Sequence, residues 1–364
     1  VSDLHAHLWG LPMVMAWLLV VMRFKKSLEK EGRSLIKIVG WSVGLGALMG
    51  VMAMTNTWDL LIYGLLLCIL GLLLLLQRKA RFTDLVMAAV VVVMVAAVVS
   101  SGWWLNFVSI DQGVRLVSKR SPLWQLLVLW STHLLLTAMA IVSCVLFKNK
   151  KGRWQVKVSN SLVVAMGITA VILLLLPEVI YFKDIYPSHP RANTMFKLTY
   201  QAFMLMGLLG GWLVASLTGK VKTRAEAMVR AGGMSVVVLL IGGLLMFPYF
   251  GYRDYYGGLR VYKGLDGLSW IRGGDPDDYL MLGYLKSQVK GRPVILEAVG
   301  ESYTEFARMS ALSGLPTVLG WRVHEWLWRG GFEIPGKRTE EVRAMYETPL
   351  SKEAKSLYEK YQVK

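Results

Sequence analysis

Apolar residues form long runs over the first two thirds of the chain, with short polar connections between them. Each run has roughly 17–24 mostly apolar residues, the length that an α-helix needs to cross a hydrocarbon core of ~30 Å. The pattern therefore predicts an α-helical integral membrane bundle of about eight spans. We place the spans near residues 8–22, 35–54, 60–76, 83–100, 124–147, 158–176, 195–218 and 231–250.

The chain after about residue 251 has the residue pattern of a small water-facing domain. Asp275 followed by Pro276 is typical of a helix start. Apolar segments at 293–299 and 317–321 predict two buried strands, and the 17 residues between them suffice for a parallel βαβ crossover. The sequence thus predicts a helical bundle over 1–250 and an α/β domain over 251–364.

The predicted crossover helix has its own start and stop signals. Ser302 and Glu305 have the spacing of a capping box, and Gly314 is typical of a helix end. Two further helices are expected near 339–348 and 351–362. The chain starts at Val1 inside a polar motif and stops before an expected further strand. We therefore expect it to be a piece of a longer polypeptide.

Charge distribution predicts the orientation in the membrane. The chain is 55% hydrophobic and 18% charged, with a net charge of +17. Four connections (23–37, 77–81, 148–157 and 219–230) together hold 18 Lys and Arg residues against three acids. Basic residues concentrated in alternate connections indicate cytoplasmic loops rather than a nucleic-acid surface. Both ends of the chain, with the α/β domain, are therefore expected on the extracytoplasmic side of the cell membrane.

Two groups of polar residues on the expected outer side are candidate site residues, and the first is at the start of the chain. Asp3, His5 and His7 precede the first span. One interpretation is that these residues simply cap a helix. The other is that the two histidines bind a divalent metal in an extended chain, although two such side chains diverge in a helix.

The second outer group is the connection between the second and third spans. Asn56, Trp58 and Asp59 lie in it, and Thr57 stands between the first two. A purely structural interpretation is a turn with a tryptophan at the membrane interface. The functional one is a polar surface that contacts a substrate.

The start of the seventh span has the residue types of an anion site. Pro190 is followed by Arg191, Asn193 and, further on, Lys197. Free N–H groups and the helix dipole attract phosphate at such a terminus, and Arg adds a bidentate contact. These side chains could also be cations that only snorkel to the interface. We favour phosphate or pyrophosphate binding.

By this assignment the spans hold few ionisable residues. These are His133 and, at span ends, Lys37 and Lys197. A coupled transporter usually needs carboxylates or broken helices near the bilayer midplane. The pattern therefore places transport third among the possible functions. It favours chemistry or binding at the outer boundary.

The chain after residue 251, which we call the tail, contributes three further residues that could contact a ligand. Glu297 lies in the carboxyl-terminal part of the first predicted strand, and His324 with Glu325 follows the second, where ligands bind in α/β sheets. Trp321, Trp326 and Trp328 could stack on sugars or anchor the domain at the membrane surface. The sequence at 300–304 lacks the second glycine of a nucleophile elbow, which disfavours a serine hydrolase.

Five segments together resemble a known family. They are Ser-Asp-Leu-His-Ala-His (2–7), Thr-Asn-Thr-Trp-Asp (55–59), Arg-Ser-Pro-Leu-Trp-Gln (120–125), Arg-Ala-Asn-Thr-Met-Phe-Lys (191–197) and the run Val294–Arg329. In this order they resemble the "YYY" membrane family, a domain of unknown function found in archaea and some bacteria. That family is similar to GT-C glycosyltransferases, which use lipid-phosphate-linked sugars at outward-facing loops.

The resemblance implies a polyprenyl-phosphate sugar donor near Arg191 and Lys197 and a glycan or protein acceptor. It places Asp3 and Asp59 as supporting carboxylates, because the outer-loop carboxylate of GT-C enzymes would precede this chain. The fragment alone is then expected to be inactive. The rival function is a non-catalytic, membrane-anchored protein that binds or assembles cell-envelope polysaccharide or protein.

Overall fold

The computed structural model describes residues 6–29, 33–107, 113–148, 154–156, 158–183, 189–219, 221, 223–260, 264 and 266–363. Eight helices in these ranges are long and apolar enough to cross a membrane, which confirms the predicted number of spans. They are α1 (Ala6–Leu28), α2 (Leu35–Thr55), α3 (Thr57–Leu76), α4 (Phe82–Trp104), α5 (Leu123–Val145), α6 (Ser161–Leu175), α7 (Ala192–Leu217) and α8 (Arg224–Tyr255).

The first and last of these helices extend beyond the predicted apolar runs. Helix α1 continues from the predicted end at residue 22 to Leu28, and α8 begins at Arg224 instead of residue 231. Both extensions contain Lys or Arg. Long basic side chains keep their charge in water while their stems lie along apolar surface, so a helix can continue past its apolar run.

The helices differ in how much protein surrounds them. Most residues of α6 are buried, whereas Val237 is the one buried residue among those described in α8. Both helices are apolar over most of their circumference. Since an all-apolar helix must be covered by protein or by lipid, α6 forms the centre of the bundle and α8 faces lipid on most sides.

Two glycines allow α2 and α4 to approach closely. A Cβ atom on Gly46 would lie 2.6 Å from the carbonyl oxygen of Val92, and one on Gly50 would lie 2.7 Å from Cβ of Val99. Both distances are far too short for a real side chain. Small residues four positions apart are a recurrent means of bringing membrane helices into backbone contact.

The connections of the bundle contain two pairs of short strands. Strand β1 (Val114–Leu116) pairs antiparallel with β4 (Ile180–Phe182), and β2 (Leu146–Lys148) pairs with β3 (Trp154–Val156). The first pair links the α4–α5 connection to the α6–α7 connection. These connections therefore lie at one end of the bundle, which we call the β1–β4 end.

The described chain divides at Gly251 and Tyr252 into two compact units. The described part of the second unit is mainly helical. Its helices are α9 (Ser269–Gly274), α10 (Pro276–Gln288), α11 (Arg308–Ser313), α12 (Arg322–Arg329), α13 (Glu333–Glu347) and α14 (Lys352–Tyr361). A core of Val318, Leu319, Val342, Met345 and Leu357 holds the two predicted strand regions against α13 and α14.

The expected α/β character is much reduced in this unit. Ile295 forms a parallel bridge with Thr317, which has the predicted direction, and Val294 forms another with Val363. Within the described residues these are isolated bridges rather than extended strands. Pro316 offers its carbonyl to the N–H of Ile295 but has no N–H of its own, so the ladder does not extend through it.

The predicted capping box is wrong. Helix α11 begins at Arg308, after Tyr303 and Ala307 in left-handed conformations. The hydroxyl of Ser302 accepts a hydrogen bond from the backbone N–H of Val323 instead of capping a helix. The predicted end at Gly314 is confirmed, with φ of 79°.

Candidate functional site

A buried polar cluster lies where α2 meets α3. Asn56 ends one helix and begins the other, and its amide donates a 2.8 Å hydrogen bond to Oδ1 of Asp59. The amide of Gln201 on α7 donates a second bond of 3.0 Å to the same oxygen. The Tyr63 hydroxyl donates to Oε1 of Gln201 at 2.5 Å, which fixes the orientation of that amide. We call Asn56, Asp59, Tyr63 and Gln201 the Asp59 cluster.

The second carboxylate oxygen of Asp59 differs from the first. Asp59 is fully buried, and Oδ2 has no hydrogen-bond partner among the described residues. A Cβ atom on Gly10 would lie 3.0 Å from Oδ2, so this oxygen faces the first turns of α1. A buried polar atom without a partner costs free energy, which makes Oδ2 the atom of this cluster most in need of a functional explanation.

A cation lies close to the Asp59 cluster. Nζ of Lys197 is 5.0 Å from the centre of the Trp58 ring. This ring packs edge-on against the Phe182 ring, with 4.7 Å between the two ring centres. Lys197 also precedes Gln201 by one helical turn. The ammonium group and the carboxylate of Asp59 are thus at the same end of the bundle, on neighbouring helices.

Arg191 is held by an internal network. Its guanidinium donates to Oε2 of Glu178 at 2.7 Å and to the hydroxyl of Ser121 at 3.0 Å. The same hydroxyl donates to Oε1 of Glu178, whose Oε2 also accepts the N–H of Ser121. This network ties the starts of α5 and α7 together. The positive charge of Arg191 is therefore already balanced by a carboxylate.

The first turn of α7 is also attached to strand β4. The Thr194 hydroxyl accepts a 3.0 Å hydrogen bond from the backbone N–H of Phe182. Asn193, half-buried in the same turn, stands next to it. The structure therefore brings Arg191, Asn193 and Lys197 to one helix start but uses Arg191 for protein contacts.

Three residues at the start of the chain cannot be placed against this site. Asp3 and His5 lie outside the described residues, and of His7 only the helical backbone is described. Among the described residues no group of three His, Cys, Asp or Glu side chains lies close enough to hold a metal ion. Divalent-metal binding stays a prediction.

The two tail carboxylates make internal hydrogen bonds. Glu297 accepts the N–H groups of Met309 and Ser310 at 3.0 and 2.7 Å and so caps α11 from outside the helix. Burial raises the pKa of Glu297, against the effect of these hydrogen bonds. Glu325 accepts from the N–H of Gly320 and from Arg329.

His324 belongs to an aromatic cluster. Its ring centre is 4.9 Å from that of Tyr303 and 5.3 Å from that of Trp321. Nε2 of His324 is buried without a hydrogen-bond partner in the described chain. Trp326 instead packs against Phe332, and the side chain of Trp328 is outside the described residues.

The residues that form hydrogen bonds around Asp59 include two that the sequence pattern did not indicate. The assignment of few ionisable groups to the spans overlooked Asp84, which lies in the predicted fourth span, and it placed Asp59 and Glu178 in connections although both are buried at helix ends. Tyr63 and Gln201 were also missed. The signal was helical spacing: Tyr63 follows Asp59 by four positions, and Gln201 follows Lys197 by four, so each continues a polar face one turn deeper.

Comparison with known proteins identifies a family but no activity. Residues 1–165 and 146–206 match a family described as uncharacterized membrane protein (DUF2298). The matched segments span more than half of the chain. No curated protein and no solved structure matches it.

Proposed function

This chain belongs to the DUF2298 family of uncharacterized membrane proteins, and we propose that it is part of a GT-C-like glycosyltransferase. The enzyme would use a polyprenyl-phosphate sugar at the extracytoplasmic surface. The β1–β4 end of the bundle would then face out of the cell, as the distribution of basic connections indicates. The acceptor would be a glycan or a protein.

The observation that carries this proposal is the position of Asp59 relative to Lys197. Oδ1 of Asp59 is fixed by two amides, while Oδ2 faces α1 without a partner among the described residues. Lys197 provides a positive charge at the same end of the bundle. A carboxylate and a cation on neighbouring helices are the two charges that glycosyl transfer to a hydroxyl requires.

The proposed reaction exchanges two bonds at the anomeric carbon of the donor. The acceptor hydroxyl forms a bond to this carbon, and the bond from the carbon to the phosphate oxygen breaks. The hydroxyl proton passes to a carboxylate, for which Asp59 and Asp3 are the candidates. The electron pair leaves with polyprenyl phosphate, whose negative charge Lys197 stabilises.

The remaining predicted residues have supporting roles in this proposal. His5 and His7 lie close in sequence to Gly10, which faces Oδ2 of Asp59, and so are assigned to the acceptor side. Arg191 and Asn193 border the phosphate. Glu178 already balances the charge of Arg191, so Arg191 contributes position and hydrogen bonds more than net charge.

The test is sugar transfer by the complete protein in lipid vesicles, with labelled polyprenyl-phosphate sugars. Asp59→Asn keeps the size of the side chain and removes one of the two candidate proton acceptors, so we expect the rate to fall by roughly 10²–10⁴-fold. Lys197→Gln should lower the rate as well. The controls are Asp254→Asn and Lys119→Gln, both at exposed positions. An unchanged rate with Asp59→Asn would refute the role of Asp59, and an unchanged rate with Arg191→Ala would remove Arg191 from the phosphate site.

The ion pair of Arg191 favours a second candidate function, a non-catalytic binding or assembly protein. In that case the polar residues of the β1–β4 end are internal anchors, and the exposed Tyr303 beside Trp321 binds glycan in the tail. Glu297, His324 and Glu325 then shape the tail surface. Absence of transfer from any donor, together with glycan binding that Trp321→Ala abolishes, would favour this function.

A further inference from the structure

A groove between α1 and α2 has a cationic part and an apolar part. Its volume is about 370 Å³, and it is lined by Leu19, Val20, Met22, Arg23, Lys26 and Trp41. The exposed fraction is 66% for Leu19, 50% for Met22 and 36% for Trp41. The groove is therefore open on the side of the bundle that faces lipid.

The residues from α1 form one stripe along the helix. Leu19, Met22, Arg23 and Lys26 are separated by three, one and three positions, so they project from the same face. Successive residues rise by ~1.5 Å, so this stripe is ~10 Å long. The apolar residues come first and the basic residues follow at the helix end. A ligand along the stripe meets a hydrocarbon surface and then two cations.

The two cations of the groove have no acidic partner in the part of the chain that the structure describes. Within the described residues neither Arg23 nor Lys26 has a salt-bridge partner, and no acidic residue lines the groove. The adjacent Lys25, by contrast, is paired with Glu29 at 3.1 Å. The groove thus presents two positive charges, whereas the charge of its neighbour is compensated.

This groove is separate from the Asp59 cluster. Gly10, which faces Asp59, precedes Arg23 by thirteen positions on the same helix, or ~20 Å along its axis. The groove lies toward the end of the bundle where the basic connections are found. Its function is therefore independent of the proposed glycosyl transfer.

We propose that the groove binds one anionic glycerophospholipid. Arg23 and Lys26 hold the phosphate, with the guanidinium making a bidentate contact and the ammonium a point-charge contact. An acyl chain lies along Leu19 and Met22, and Trp41 lies at the level of the headgroup, where tryptophan is enriched. Basic pockets between membrane helices on the cytoplasmic side are known to select such headgroups.

The test measures lipid retained by the purified full chain. The protein is equilibrated with equal amounts of phosphatidylglycerol and phosphatidylcholine that have identical acyl chains, and the bound lipid is counted by native mass spectrometry. Two juxtamembrane charges give an expected preference of about tenfold or more for phosphatidylglycerol. The variant Arg23→Gln/Lys26→Gln should bind both lipids equally.

A matched control removes the same charge elsewhere on this end of the bundle. Lys25→Gln/Lys79→Gln should keep the preference for phosphatidylglycerol, because neither residue lines the groove. Loss of preference in this control, or its persistence in Arg23→Gln/Lys26→Gln, would overturn the proposal. So would displacement of phosphatidylglycerol by inorganic phosphate, since the groove would then bind the free anion. Met22→Ser should weaken retention of the lipid without changing the preference.

Discussion

The side-chain amide of Gln201 donates a 3.0 Å hydrogen bond to Oδ1 of Asp59, although 142 positions separate the two residues. Both side chains are fully buried. The bond connects the first turn of α3 to α7. It turns two isolated polar residues of apolar helices into one structural unit at the β1–β4 end of the bundle.

Replacing Gln201 by Leu should destabilise the bundle. The Tyr63 hydroxyl loses its partner and Oδ1 of Asp59 keeps only the bond from Asn56, and an unsatisfied buried group costs about 1–3 kcal/mol. Denaturant titration in detergent micelles measures the free energy of unfolding. Gln125→Leu, on an exposed face of α5, is the matched control and should leave it unchanged. Equal effects of the two substitutions would contradict a role for the hydrogen bonds.

Gly46→Ala should separate α2 from α4. The new methyl group would overlap the carbonyl oxygen of Val92, and overpacking of this kind typically costs about 1–3 kcal/mol. Gly40→Ala in the same helix introduces the same methyl group where no atom lies within 4 Å. We therefore expect a lower midpoint of thermal unfolding for Gly46→Ala alone. A similar midpoint for both variants would show that α2 and α4 are not in backbone contact.

The Arg191–Glu178 pair should behave as a coupled structural unit. Removing one partner leaves the other charge half-buried and unbalanced, so Arg191→Gln should destabilise more than the double variant Arg191→Gln/Glu178→Gln. A double-mutant cycle on the free energy of unfolding should give an interaction energy of about 1–3 kcal/mol. Additive effects would indicate that Arg191 is available for a ligand instead.

Glu341 should make the packing of α13 on α14 sensitive to acid. Burial alone would raise the pKa of Glu341, but hydrogen bonds from Lys360 and Tyr361 outweigh it and hold the pKa below its ordinary value. A lowered folded-state pKa means that this stabilisation is complete above the ordinary value of ~4.3 and is lost as pH falls through the folded-state pKa.

Hydrogen exchange of α13 and α14 in the full chain, corrected for the intrinsic pH dependence, provides the measurement. Glu341→Gln should exchange faster than the wild type near neutral pH, and the difference should shrink in acid. Glu340→Gln, at the exposed neighbouring position, serves as the control. A difference that does not change with pH would contradict the predicted linkage.

The sequence by itself determined the spans and much of the tail's helix pattern. Length and hydropathy are local properties, and an apolar run in a membrane has no stable alternative to a helix. For the same reason the helix start at Asp275–Pro276 and the helix end at Gly314 could be predicted from neighbouring residues alone. Arg191, Asn193 and Lys197 were also correctly placed at one helix start.

Only the tertiary structure decided which polar groups are already used. Glu297 accepts the first N–H groups of α11, which begins after the predicted capping box, Glu178 balances Arg191, and Gln201 fixes Asp59. Each partner lies on another element, so no local period indicates it. Inside an apolar bundle a polar group must find a partner wherever the fold brings one, and that choice depends on packing between helices.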